Sequence, residues 1–429
     1  MKRSHKFNVS IAAATSALLL LSGCSGSSSA SAEGQVIWST WGTPEELKVY
    51  ETFNKQFSEK NADLKIKFQP VASYDEYHSK LNTQLTSRTA PDVFYVGDDQ
   101  IANLVANDVL EPIDTCLALA GAEIKKADFA ENLYRVAEKD GVTFALPNDV
   151  NPDAFFFDRE ALKAAGITAD PVELANNDQW TFEKFFEMTA ALQKAGLQGA
   201  AFWNYWATWQ SILSASGAPA YDESGKFVAD TAESAANLQK WADKFASGEL
   251  VVADELPKGS DSDALFVTHK LGFMVQGRYT VATLAGAGLD LKSYDVVRWP
   301  TASGAAEPTG VAASFLAVNK NAKDKTAACK FFNAYLSKAG QTLRLQDNGN
   351  ALPSISGVDN VVTDSGVPAN VSALIEMRDQ GFSNSPTEAS VPGLSADIAT
   401  QIMLPLFKGQ QSAADALAEI SQRLQKSAK

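Results

Sequence analysis

From residue 35 to residue 99 the apolar residues change their spacing from strand to helix and back, twice over. "GQVIWSTWG" is a short apolar strand, and "PEELKVYETFNKQFSEKN" carries helical spacing. "DLKIKFQPV" alternates polar and apolar residues as a half-buried strand does, "YDEYHSKLNTQLTSR" is helical again, and "PDVFYVGDD" is a near-continuous apolar run. This order demands an α/β body, because each helix must cover a sheet face before the next strand joins in parallel. The run that ends at Gly97 reads as a parallel strand buried on both faces. In such sheets ligands gather beyond the carboxyl ends of the strands. Those ends are Trp41-Gly42 and Gly97-Asp98-Asp99, aromatic or acidic directly after apolar runs.

The pattern continues to the end of the chain. "TFALPND" and "AFFFD" read as strands and "REALKAAG" as a helix closed by Gly166. "WTFEKFFEMTAALQKAG" follows, with Thr181 as N-cap and Lys184 at N3, so no capping box forms. "TAESAANLQKWADKFASG" is helical, "KLGFMVQG" a strand ending at Gly277-Arg278-Tyr279, "GVAASFLAVNK" a strand and "DKTAACKFFNAYLSKAG" one helix. The tail through "PGLSADIATQIMLPLFKG" and "SAADALAEISQRLQKSA" is helical. Between these, "FWNYWATWQ" sets Trp203, Trp206 and Trp209 within seven residues. Phe202, Tyr205 and Trp209 share one helical face, and adding Trp203 and Trp206 widens the arc to roughly 160°. So broad an arc suits either a deeply buried helix or one whose edge faces something other than core. Asn204 is the expected N-cap and Gly217 the stop.

The beginning of the chain fixes the compartment. A basic stretch, "MKRSHKFN", precedes an apolar one, "IAAATSALLLL", too short to span a bilayer as a mature helix, so residues 1–23 read as an export signal. "LSGC" resembles the lipobox of bacterial lipoproteins, in which the Cys, here Cys24, is acylated and becomes the first mature residue. Residues 24–34 are a polar, Gly/Ser-rich tether. Removal of the signal takes Lys2, Arg3 and Lys6 and no acid, moving the formal charge from −14 to −17. So acidic a surface argues against nucleic acid and against adsorption on anionic lipid. Roughly 400 residues lead us to expect two domains.

Catalytic motifs are absent from the sequence. His78 and His269 lie far apart, with no HExxH or CxxC, and there is no GxSxG elbow, P-loop or GxGxxG. We therefore expect a binding protein without catalysis, cofactor or metal, although paired carboxylates set by space alone leave a glycoside hydrolase open. Cys116 and Cys329 either pair or stand as two buried thiols, which nothing in their positions decides.

Taken in order, "PDVFYVGDDQIANLVANDVLEPID", "ALPNDVNPDAFFFDREALKAAG", "LFVTHKLGFMVQGRYTVA" and "GVAASFLAVNKNAKDKTAACKFFNAYLS", preceded by the lipobox, resemble the extracellular solute-binding protein family 1 of ABC importers. The resemblance covers essentially the whole mature chain. It implies a periplasmic-binding-protein-like α/β fold of two lobes, each a sheet flanked by helices, joined by a hinge of crossing strands. Lobe one would comprise 35–149 plus 311–357, and lobe two 150–310 plus 358–429. Crossings would fall near Asp149-Val150-Asn151, near 310–314 and around 352–361. Both Cys116 and Cys329 then lie in lobe one. The implied role is capture of a mono- or oligosaccharide in the cleft and delivery to membrane permease subunits. The implied protein is a lipid-anchored (palmitate-bearing) monomer on the outer face of a Gram-positive cell membrane. The rival readings are a surface carbohydrate-active enzyme and a receptor for a polyamine or glycerol phosphate.

A sugar presents apolar C–H faces, on which aromatic rings stack, and a rim of hydroxyls for carboxylates, amides and Arg. The resemblance places the family's contacts on Trp41, Gly42, Asp98, Asp99, Asn148, Asp149, Asn151, Tyr205, Trp206, Gly277, Arg278 and Tyr279. Trp299, in "VVRWPT" on the way to the hinge, is added as a candidate lining residue. If Asn204 caps its helix, Tyr205 and Trp206 lie in the first turn, at the cleft. Trp209, with Ile212 and Leu213, would pack lobe two, and Phe202 would pack from the strand before it. Tyr74 and Asp75 also follow a strand end. The late aromatic of the family has no clear match in "PGLSADIATQ".

Overall fold

The computed structural model describes residues 34–427 apart from 43, 347 and 348. The signal segment, Cys24 and most of the tether lie outside the described residues. Two five-stranded sheets organise the chain. The first holds β1 (Gln35–Ser39), β2 (Lys65–Phe68), β3 (Val93–Gly97), β6 (Ala145–Pro152) and β12 (Val311–Val318), in the order β2-β1-β3-β12-β6. A two-stranded ribbon, β4 (Glu138–Lys139) with β5 (Val142–Thr143), precedes β6. The second sheet holds β7 (Ala154–Asp158), β8 (Gln198–Phe202), β9 (Leu250–Val252), β10 (Leu271–Gln276) and β11 (Tyr294–Val297), in the order β11-β7-β10-β8-β9. We call the body around the first sheet lobe one and that around the second lobe two.

β1, β2 and β3 pair in parallel, as the strand–helix alternation requires, with helices Pro44–Lys60 and Tyr74–Thr86 as crossovers. β12 then runs antiparallel to both β3 and β6, so the sheet is mixed. The antiparallel pairing arises because β12 enters lobe one from the opposite direction, on its return from lobe two. Val93, Phe94 and Val96 are completely buried, as expected for a central strand covered on both faces.

Among the described residues, three segments pass between the lobes. β6 runs through Asp149, Val150 and Asn151 and yields to β7 after Asp153. Thr309 and Gly310 lead into β12, and Gly310 bridges Phe382. Leu352 bridges Val150 through a reciprocal pair of backbone hydrogen bonds, 2.9 and 3.1 Å. The C-terminal region touches both lobes. Helix Ser372–Gln380 packs on β6 and β11, Pro386–Ala389 packs on Ile101–Ala106, and Ala413–Ser427 packs on Ala232–Ala246.

Cys116 and Cys329 form a disulfide across 213 residues, tying helix Ile113–Leu117 to helix Lys325–Leu336 inside lobe one. The segment read as one helix after β12 is two, Lys325–Leu336 and Lys338–Leu345. Ser337 breaks it, leaving the helical region at φ −61, ψ 160 and capping the second helix by accepting from Gly340 N–H. Among the described residues no helix is long and apolar enough to cross a membrane.

Candidate functional site

The site is built where the ends of β3, β6, β10 and helix Trp206–Ala215 meet. Its centre is a contact between lobes: Trp206 Nε1 of lobe two donates to Asp98 Oδ1 of lobe one, 3.4 Å. The other carboxylate oxygen of Asp98 accepts from Ala313 N–H at 3.0 Å, where β12 leaves the hinge. Asp98 is buried, and desolvation, reinforced by the charge of neighbouring Asp99, pushes its pKa up to about 7. Asp153, at the start of lobe two, is near enough for its charge to add to the rise at Asp98, and burial raises its own pKa to about 7. The Tyr205 phenol lies near Asp153 and lowers its pKa, while Asp153 Oδ2 is buried without a partner.

Trp206 is 2% exposed and yet lies outside the contiguous apolar core. Its neighbours are Tyr205, at 5.9 Å between ring centroids, and Phe382, at 6.3 Å. Trp209 belongs to that core, beside Tyr221 and near the buried Ile212 and Leu213. The N-cap is one residue later than the sequence indicated. Tyr205 holds it in extended backbone, and Trp206 is the first helical residue. Asn204 is instead spent on tertiary bonds, its N–H donating to Asp254 (2.8 Å) and its Nδ2 to the Ala399 carbonyl (2.8 Å). Trp203 is exposed.

Lobe one contributes an aromatic wall. Trp41 packs edge-on to Tyr74 (4.9 Å) and against Tyr77, His78 and Tyr95, leaving part of the ring exposed. The Tyr74 hydroxyl bonds to Asp99. Gly97 permits this, because a Cβ there would collide with the Tyr74 phenol. Gly42 is buried beside Glu46. Lobe two contributes Tyr279, 40% exposed, directly after a strand end locked to the hinge. The lock is Asn151 Oδ1, which accepts Arg278 N–H at 2.9 Å. A Cβ on Gly277 would come within 2.6 Å of the same oxygen.

Four of the expected contact residues have their side chains engaged within the protein. Trp299 is 1% exposed, its ring packed edge-on to Phe155 and its Nε1 donating to the Asp153 carbonyl at 2.6 Å, so it is core of lobe two. Arg278 is fully buried, and its guanidinium holds the carbonyls of Leu345, Gly349 and Ala351. Asn148 is fully buried between the Ser314 carbonyl and Arg344. Asp149 faces the same guanidinium at 3.9 Å, and burial lifts its pKa to about 6. Arg278, Asn148 and Asp149 fasten the hinge. The sequence did not single out Asp153 or Phe382. The one available signal for Asp153 was an acid set between Pro152 and the apolar run of β7, at a crossing.

Hollows lie elsewhere on the surface. One of about 540 Å³ is bounded by Arg135, Gln210, Tyr221 and Phe382, and one of about 400 Å³ lies on lobe one beside Phe57 and Leu343. Neither is lined by Asp98, Trp206 or Tyr279; at these residues the lobes already meet. Among the described residues no cluster of His, Cys, Asp and Glu could hold a metal ion.

Residues 50–373 match the model of a family described as bacterial extracellular solute-binding protein. The arabinooligosaccharide-binding protein of Bacillus subtilis (strain 168) is 23% identical over 264 residues, which are 60% of this chain and 57% of that protein. The chain thus aligns with little over half the length of that relative. An ABC substrate-binding protein from Listeria monocytogenes, solved in complex with cycloalternan, superposes with a TM-score of 0.76 at 17% identity. The match covers 91% of this chain and 98% of that one. The GacH receptor of Streptomyces glaucescens, solved unliganded and with acarbose, gives 0.76 at 18% identity over 92% and 98%. These likenesses establish the fold.

Proposed function

Because the chain belongs to the bacterial extracellular solute-binding protein family, we propose that it is the substrate-binding subunit of an ABC sugar importer. It captures a mono- or oligosaccharide between its lobes and delivers it to a membrane permease. The observation that carries this reading is the seam itself, where Trp206 of one lobe reaches Asp98 of the other amid Trp41, Tyr205 and Tyr279. Rings for the C–H faces and carboxylates for the hydroxyls are the complement of a sugar. The sugar-binding relatives support the same class of ligand. Asp99, Asn151 and Gly277 shape the rim of the cleft, and Gly42 lets the chain turn beside Trp41. Lobe one is 35–149 with 311–357, and lobe two is the remainder after residue 34.

The same reading makes Cys24 the lipidated first residue of the mature protein, held at the outer face of the membrane, the signal 1–23 being removed. No catalytic step is assigned to the seam. A ligand that binds the native state raises its melting temperature by mass action. A thermal-shift screen against a saccharide panel should give at least one shift of several degrees, and turnover of a chromogenic glycan should be nil. A flat screen, or hydrolysis, contradicts the proposal. Cys24→Ala should release the protein to the medium, and unchanged membrane fractionation would remove the anchor.

A further inference from the structure

The seam brings together two carboxylates from opposite lobes. Neither Asp98 nor Asp153 has a salt bridge to Lys, Arg or His among the described residues, and both are buried. Asp98 takes one N–H from Trp206 and one from Ala313, whereas Asp153 has one oxygen with no partner, with the Tyr205 phenol nearby. Asp99 stands beside Asp98, and Asp263 and Glu46 contribute further negative charge near Tyr279. The nearby cations are engaged elsewhere: Arg278 holds backbone carbonyls, and Arg344 faces Asp149. His78 uses both ring nitrogens locally, one accepting from Gly97 N–H and one at the Tyr74 carbonyl.

Like charges brought into a desolvated seam oppose closure unless something neutralises them. A neutral sugar hydroxyl can satisfy a lone pair on Asp153 Oδ2 but leaves the charge. An ammonium group removes the repulsion, and the faces of Trp206, Tyr205 and Tyr279 are the aromatic surroundings in which cations are held. We propose that the ligand is a saccharide carrying a free amine, its ammonium seated between Asp98 and Asp153 Oδ2. This inference rests on the sugar-receptor reading and narrows it to one substrate class.

The alternative is that closure over a neutral sugar takes up protons on these carboxyls. The two differ in their response to pH. Closure over a neutral ligand binds protons, so affinity falls as pH rises from about 5 towards about 7. With an ammonium ligand the carboxylates stay ionised, and affinity holds or rises over the same interval.

The experiment is calorimetry of the full mature chain against amino saccharides, each paired with its N-acetylated counterpart, with maltotriose and spermidine as further ligands. We expect a free-amine saccharide to bind at least tenfold more tightly than its acetylated partner, with affinity steady or rising from pH 5.5 to 7.5. Asp153→Asn should collapse that preference, and its unliganded melting temperature should not fall. Acetylated or neutral sugars that bind equally well or better overturn the amine inference and leave the sugar receptor standing. So does an Asp153→Asn protein that keeps the preference. Binding of spermidine alone, or of nothing in the panel, overturns both.

Discussion

Trp206 and Trp209 sit three residues apart on one helix, both almost wholly shielded from solvent, and they are buried by different things. Trp209 is enclosed by its own lobe, in the contiguous core. Trp206 is enclosed by the other lobe, through Asp98, and by Phe382 from the C-terminal region. On the proposed reading, burial of the first comes with folding and burial of the second with closure. That reading divides the whole molecule: residues of the lobe cores would set stability, and residues of the seam would set affinity.

The strongest test on the core side is the disulfide. It closes a loop of 213 residues, for which the chain-entropy model gives about 5 kcal/mol of destabilisation of the unfolded chain. Replacing Cys116 and Cys329 with Ser should lower stability by up to about that amount in denaturant titration. Ligand affinity of the folded fraction should be unchanged, because the bridge lies within lobe one. A large loss of affinity would blur the division. Trp209→Ala comes next, expected to cost about 3–5 kcal/mol of stability with normal binding once folded.

On the seam side Trp206→Ala should reverse the pattern. Affinity should fall by about 2 kcal/mol or more, near thirtyfold, while the unliganded protein melts within a degree or two of the parent. If the variant melts many degrees lower and still binds normally, Trp206 is core. The smallest effect is the pH response of closure itself. Asp98 and Asp153 have pKa values raised to about 7 by burial in the closed seam, so closure without ligand binds protons that hydrated carboxyls in the open form release near pH 4. The closed fraction of the unliganded protein, read by scattering, therefore declines as pH rises from about 4 to about 7, and Asp98→Asn should make that slope shallower. A slope of the opposite sign would show that these carboxyls are not desolvated.

What could be read from the sequence followed the same division. The strand–helix order of lobe one is a local pattern, and the parallel pairing of β1, β2 and β3, though not their order, came directly from it. The antiparallel β12 did not, because its direction depends on a return path from the second lobe. Cys116 and Cys329 could not be paired from positions 213 residues apart. In the site, the strand-end rule offered Asp98, and the family resemblance offered Tyr205, Trp206 and Arg278. Neither showed that the side chains of Arg278 and Trp299 are buried within the protein, since a residue beside a crossing can turn inward as easily as outward. Asp153 was missed because its meaning comes from Asp98 on the opposite lobe.

The central claim is that the seam at Trp206 and Asp98 closes on a ligand held between two mobile lobes. Closure about a few crossing segments requires a ligand that favours the closed state. Small-angle scattering of the mature protein, with and without a saturating saccharide, reads this directly. The account predicts a radius of gyration larger than that of the present structure without ligand, contracting to it at saturation. An identical radius in both conditions, with binding verified in the same sample, would contradict it.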